Sequence, residues 1–243
     1  EDGKPIKYTF TEINEDGKYT GEATYEAGKV TFRNKRIVEK TSVSVQKVWD
    51  DDNNRDGVRP KKVAVELLAN GELVEEYDGL NTSVNWSHTF TDLDKYKNGT
   101  EIQYTVREKS VDGYTATYKN DGNKWTITNK YTPEKISLTI NKKWDDAENQ
   151  DGIRPDSVKA VLYANSKKVQ DIELNEDNHW SVSVSDLYKN ENGKPIQYEI
   201  KEITETKGYT SSVSCKGNTW TITNTHKPSM VSVSGTKTWK DDS

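Results

Sequence analysis

A Lys, a Glu and an Asn recur along this chain at fixed distances, each on the alternating parity that also carries the apolar residues. Segment 42–49 puts Val43, Val45, Lys47 and Trp49 on one parity; segment 102–108 does so with Ile102, Tyr104, Val106 and Glu108. Segment 125–129 follows with Trp125, Ile127 and Asn129. Successive side chains of a strand point to opposite faces, so the alternation predicts half-buried strands with all three polar groups turned into the core. A lone buried charge is very costly, and a buried ion pair survives only with good geometry. Two arrangements meet that constraint. One is a Lys–Glu ion pair with Asn as a hydrogen-bond partner; the other is a Lys–Asn amide cross-link, chemistry that removes the charge.

The pattern returns about 95 residues later. Ile136, Leu138, Ile140, Lys142 and Trp144 are followed by Ile196, Tyr198, Ile200 and Glu202, then by Trp220, Ile222 and Asn224. Lys and Asn lie 82 residues apart in both copies, and Glu and Asn lie 21 and 22 apart. DDDNNRDGVRP (50–60) returns as DDAENQDGIRP (145–155), and a GYT step precedes the last strand at Gly113 and Gly208. Self-similarity at this length means tandem domains. The spacing divides the chain into part of a repeat at 1–40, complete domains at 41–133 and 134–228, and the first strand of a further repeat at 229–243. Short Thr-, Val-, Tyr- and Trp-rich runs punctuated by NG, DG and GN predict an all-β, sandwich-like fold.

The first piece carries Ile6, Tyr8, Phe10 and Glu12, then Val30, Phe32 and Asn34, with no Lys-bearing strand before them; the last carries Val231, Val233, Lys237 and Trp239. Glu12, Asn34 and Lys237 are therefore incomplete-repeat equivalents, expected on core-facing parities. If ordered, these ends are expected to associate head-to-tail between molecules, with any Lys237–Asn34 bond forming poorly because water is not excluded. The two short links each contain a proline, Pro133 and Pro228, which predicts an elongated rod with limited hinge freedom.

Interspersed charge, net −5, leaves no basic stripe for nucleic acid or an anionic membrane. No run within the sequence reads as a signal peptide or a membrane-length apolar segment, and boundaries that fall mid-repeat lead us to expect an excerpt of a longer protein. Cys215 is the only cysteine, so the usual extracellular staple, a disulfide, cannot form within the chain. The loop 50–55 spaces Asp50, Asp52 and Asn54 like a calcium loop but has Arg55 where glycine is needed, and its second copy has Ala147 in place of the middle acid. It reads as a solvated turn. His88, His179 and His226 lack metal-ligand spacing, and no cofactor or metal is implied. Trp49, Trp125, Trp144 and Trp220 share the core parity, which leaves Trp86 and Trp180 as candidates for a ligand surface.

YTVRE, GYT and ITNKYTP, in that order, with K-x-W-x-D, R-P, Y-x-x-x-E and T-N at matching spacings twice over, resemble the Cna B-type domain family across nearly all of residues 42–227. The resemblance implies a tandem inverse-immunoglobulin-like (prealbumin-like) sandwich of about seven strands per domain, on Gram-positive surface adhesins and pilins. It also implies a self-formed isopeptide bond between a first-strand Lys and a last-strand Asn, assisted by an acid: Lys47 with Asn129 and Glu108, and Lys142 with Asn224 and Glu202. Location would be extracellular, anchored to the cell wall through regions outside this chain. Partners would be neighbouring domains and, for the full-length protein, a host extracellular-matrix ligand. Two function classes follow: a structural stalk, or an adhesive module that itself binds a host matrix protein or glycan. Near-identical spacing in both copies and the absence of long copy-specific loops favour the stalk.

Overall fold

The structure, a computed structural model, describes residues 3–13 and 17–240. The chain forms two compact units, Glu1–Asp50 with Pro60–Tyr131, and Asp51–Arg59 with Thr132–Ser243.

The first unit opens with a hairpin, β1 (Tyr19–Glu26) and β2 (Lys29–Arg36), which is a two-stranded sheet of its own. The strands that follow are β3 (Lys40–Asp50), β4 (Lys62–Ala69), β5 (Glu72–Asn81) and β6 (Ser87–Asp94). A two-residue ladder of β7 (Tyr96–Lys97) and β8 (Thr100–Glu101) leads into β9 (Tyr104–Glu108), β10 (Thr115–Asp121) and β11 (Lys124–Lys130). Four strands in the order β10-β11-β3-β6 make one sheet, and three in the order β5-β4-β9 make the other. Each inward strand alternates as its sequence requires: Val43 and Val45 on β3, Val65 and Leu67 on β4, and Ile127 on β11 are buried in one core with Leu80 and Phe90. Each such side chain contributes about 1.5–3 kcal/mol when fully buried.

The second unit repeats the arrangement with β12 (Lys135–Asp145), β13 (Ser157–Ala164), β14 (Lys167–Asn175) and β15 (Ser181–Tyr188). A short ladder, β16 (Asn190–Glu191) and β17 (Lys194–Pro195), precedes β18 (Tyr198–Glu202), β19 (Thr210–Lys216) and β20 (Thr219–Thr225). Its sheets run β15-β12-β20-β19 and β14-β13-β18, seven strands around Ile140, Leu162, Leu174 and Ile222. This is the all-β sandwich expected. In each unit the first and last strands of the sandwich are parallel neighbours, β3 with β11 and β12 with β20, whereas their other neighbours are antiparallel.

The terminal pieces depart from expectation. Residues 4–13 form no strand, and Ile6, Tyr8 and Phe10 are 69%, 73% and 58% exposed. Residues 229–240 likewise pair with no strand, so the strand expected there is not formed, and Val231 and Val233 lie open to solvent. The cause is physical. Alternation puts a residue in a core only when a second sheet covers that face, and a strand forms only when a partner satisfies its backbone. Residues 241–243 lie outside the described residues.

Candidate functional site

The parallel register fixes what meets inside each sandwich. Lys47 pairs with Ile127, so Asn129 lies one same-face step further along β11; Lys142 pairs with Ile222, and Asn224 takes the same place on β20. The acid comes from the opposite sheet, where Glu108 pairs with Val65 and Glu202 with Ala160. Lys47, Glu108 and Asn129 are buried, as are Lys142 and Asn224, and the side chains of Lys142 and Glu202 are 0% and 4% exposed. All six residues expected in the two complete domains are therefore brought together, three to a core.

In the first core, Lys47 Nζ lies 3.3 Å from Glu108 Oε1. Burial raises the Glu108 carboxyl above its ordinary range, against the opposing pull of the Lys47 ammonium. Neither amide atom of Asn129 makes a hydrogen bond of good geometry, although the amide lies close enough to the Glu108 carboxyl to lower it. An unsatisfied buried polar group costs about 1–3 kcal/mol, so a purely structural role for Asn129 is expensive. In the second core, Lys142 Nζ is 3.9 Å from Glu202 Oε1, and Asn224 Nδ2 donates to that same oxygen at 3.0 Å. Desolvation pushes the Lys142 amine down to about 8, against the raising effect of Glu202 and Asp146. The neutral, nucleophilic form of this amine is then far more accessible near neutral pH than that of an ordinary lysine.

Aromatic rings close each site. The Lys47 ammonium lies 4.5 Å from the centre of the Trp49 ring and that of Lys142 lies 4.1 Å from Trp144. Trp49 meets Trp86 and Tyr114 edge-on at 5.1 and 5.0 Å; Trp144 meets Trp180 and Tyr209 likewise at 5.3 and 5.2 Å. Trp86 and Trp180 are therefore packing partners of the Lys-strand tryptophan, not an open platform. Both adopt φ of 56°, a left-handed conformation rare for a bulky residue, and each offers its carbonyl to the backbone N–H of the buried Lys, at 2.7 Å for Lys47 and 2.8 Å for Lys142. Trp125 and Trp220 pack against the cores as their parity requires.

The Asp-rich turns hold residues that the alternation pattern missed. Asp146 is buried and accepts two bonds from Arg154, at 2.7 and 3.0 Å, and one from the Tyr209 hydroxyl at 2.8 Å. The Arg154 guanidinium holds its carboxyl down to about 2. Asp51 is buried too and pairs with Arg59 through two bonds. Asp50 and Asp52 are exposed, as expected of a solvated turn, while the buried Asp51 and Asp146 clamp these turns from inside. The signal available was the Asp-to-Arg interval of eight residues before a proline, identical in both copies. Among the described residues no cluster of potential metal ligands is present. His88 stacks on Tyr77, and His226 bridges the Asp151 carboxylate and the Gly208 carbonyl.

The incomplete-repeat residues stand differently. Asn34 Nδ2 donates to Glu12 Oε1 at 2.6 Å, but both residues are exposed rather than core-facing. Lys237 is exposed and lies over the Trp239 ring. With no covering sheet, these groups keep their hydration.

Residues 43–130 and 138–225 match the Cna protein B-type domain. Across 98% of its length the chain is 43% identical to a collagen adhesin of Staphylococcus aureus, of which it spans only 20%. A crystal structure of two B repeat units of the collagen-binding protein of S. aureus is 40% identical, matched over 93% of this chain and 60% of that one, with a TM-score of 0.46. A single B repeat unit of the same protein is 44% identical over 78% of this chain and all of its own, with a TM-score of 0.38. Cna B-type domains are structural modules of surface adhesins and pilins and not enzymes. The chain belongs to the Cna protein B-type domain family and carries two of its repeats.

Proposed function

We propose that this chain is a stalk segment of a Gram-positive cell-surface adhesin, stiffened by Lys47–Asn129 and Lys142–Asn224 isopeptide bonds that its own residues make. The complete domains are 41–133 and 134–228, flanked by parts of neighbouring repeats. The observation that carries this reading is the burial, twice, of a Lys, a Glu and an Asn at the junction of the first and last strands, with Lys and Asn 82 residues apart each time. Its partners are neighbouring domains of the same surface protein. Regions outside this chain would supply wall anchoring and any binding to a host matrix ligand.

The chemistry follows from the residues. An ammonium is not a nucleophile and an amide is a poor electrophile. Burial addresses the first by disfavouring the charged amine, and the same burial raises the Glu108 carboxyl, which favours its protonated form. A neutral carboxylic acid donates to the Asn carbonyl and makes its carbon more electrophilic. The amine attacks, the acid carries protons, ammonia leaves and a neutral amide remains. Each domain reacts once, on itself.

Tension entering at the first strand and leaving at the last then passes through the bond and spares the strands between. Single-molecule stretching tests this. An uncrosslinked domain should release its 82-residue loop as an extension step of about 27–30 nm. The wild-type chain should show neither step, and Lys142→Ala should restore one. Two full steps in the wild type would overturn the stalk mechanism.

A further inference from the structure

The two Lys–Glu–Asn sites differ in the side chains that border them, most directly at the position across the ladder from the Asn. The residue directly across the ladder from the reactive Asn is Ala116 in the first domain and Ser211 in the second; the N-terminal hairpin has Gly21 there, opposite Asn34. Directly opposed residues of an antiparallel pair share a face, so this side chain borders the site. Ser211 Oγ donates to Glu202 Oε2, while Asn224 Nδ2 donates to Oε1 at 3.0 Å. Both carboxylate oxygens act as acceptors, and Asn224 Oδ1 has no partner. A second hydroxyl, Thr206 Oγ1, lies 3.5 Å from Asn224 Nδ2. The same turn of the first domain has Val111, which packs with Ala116 against the apolar core. Tyr118, where the second domain has Val213, accepts from the Glu108 backbone N–H at 3.1 Å.

We propose that Ser211 is a positioning residue that delays the second cross-link relative to the first by occupying the carboxyl group that must activate Asn224. This rests on the cross-linking reading given above. In the bond-forming step Lys142 Nζ joins Asn224 Cγ, the Cγ–Nδ2 bond breaks, and Nδ2 leaves as ammonia with the proton that the amine gives up. Glu202 has to present an O–H to Asn224 Oδ1 for this to start. Ser211 either donates to the carboxylate, a contact made to its ionised form, or accepts the carboxyl proton and turns it away from Asn224. Each contact has to break first.

Translating the full chain in a cell-free system into denaturant, so that neither bond has yet formed, and then diluting it to fold, with aliquots quenched in acid and the two cross-linked peptides separated by mass, reads both bonds in one molecule. The first bond serves as an internal clock. The Lys142–Asn224 bond is expected to form about tenfold more slowly than Lys47–Asn129, the scale of one net hydrogen bond. Ser211→Ala should bring the second bond to the rate of the first, Ser211→Thr should keep the delay, and Ala116→Ser should impose one on the first domain. A hydroxyl that merely supports the fold would, when removed, slow the bond or leave it unchanged, and either outcome overturns the proposal. Failure of both bonds to form in the wild type would instead overturn the cross-linking reading itself, together with this proposal.

Discussion

Asn129→Ala should lower the stability of the first sandwich by about 4–5 kcal/mol, the chain-entropy value for releasing an 82-residue loop. For a domain of this size that is a drop in melting temperature of roughly 20–30 °C. The sandwich itself should persist, because Val43, Val45, Val65, Leu67 and Ile127 remain to close its core. Calorimetry decides it, with the unaltered second domain as internal reference. Asn34→Ala, in the exposed hairpin, is the control and should leave both transitions in place. A shift of only a few degrees for Asn129→Ala would mean that Asn129 carries no cross-link.

Glu108→Gln should abolish the bond in the first domain while leaving a folded sandwich. Gln keeps the shape of Glu but has no proton to give and retake, and a positioned acid or base contributes about 10²–10⁴-fold to a proton-coupled step. Lys47 would then face a neutral amide in an apolar core, which disfavours its ammonium form further without supplying the missing acid. The second domain should react normally, so the variant is expected to lose one ammonia, and Glu202→Gln should mirror it. Loss of two ammonias by Glu108→Gln would remove Glu108 from the reaction.

What was legible in the sequence follows from which physical rules are local. Alternation over Val43–Trp49 and Trp125–Asn129 depends only on the pleat, and it placed Lys47 and Asn129 in the core correctly. The partnership of Lys with Asn needs the parallel pairing of the first and last strands, a contact between residues 82 apart that no local pattern encodes. Tertiary cover explains the misread positions. Glu12 and Asn34 share the parity of apolar neighbours, yet they face solvent because no second sheet lies over that hairpin. Asp51 and Asp146 drew no reading within their acidic turns, yet each is buried and paired with an arginine eight residues on. Trp86 and Trp180 looked unconstrained because their left-handed backbone breaks the alternation that parity arguments require.

The central claim is covalent, and the intact mass of the purified chain tests it most directly. Each Lys–Asn condensation expels one ammonia, about 17 Da, so two completed bonds should leave the protein about 34 Da lighter than its sequence. Peptide mapping should then join the segment holding Lys47 to that holding Asn129, and Lys142 to Asn224. A mass equal to that of the unmodified sequence would contradict the account and leave two buried, uncrosslinked Lys–Glu–Asn clusters in its place.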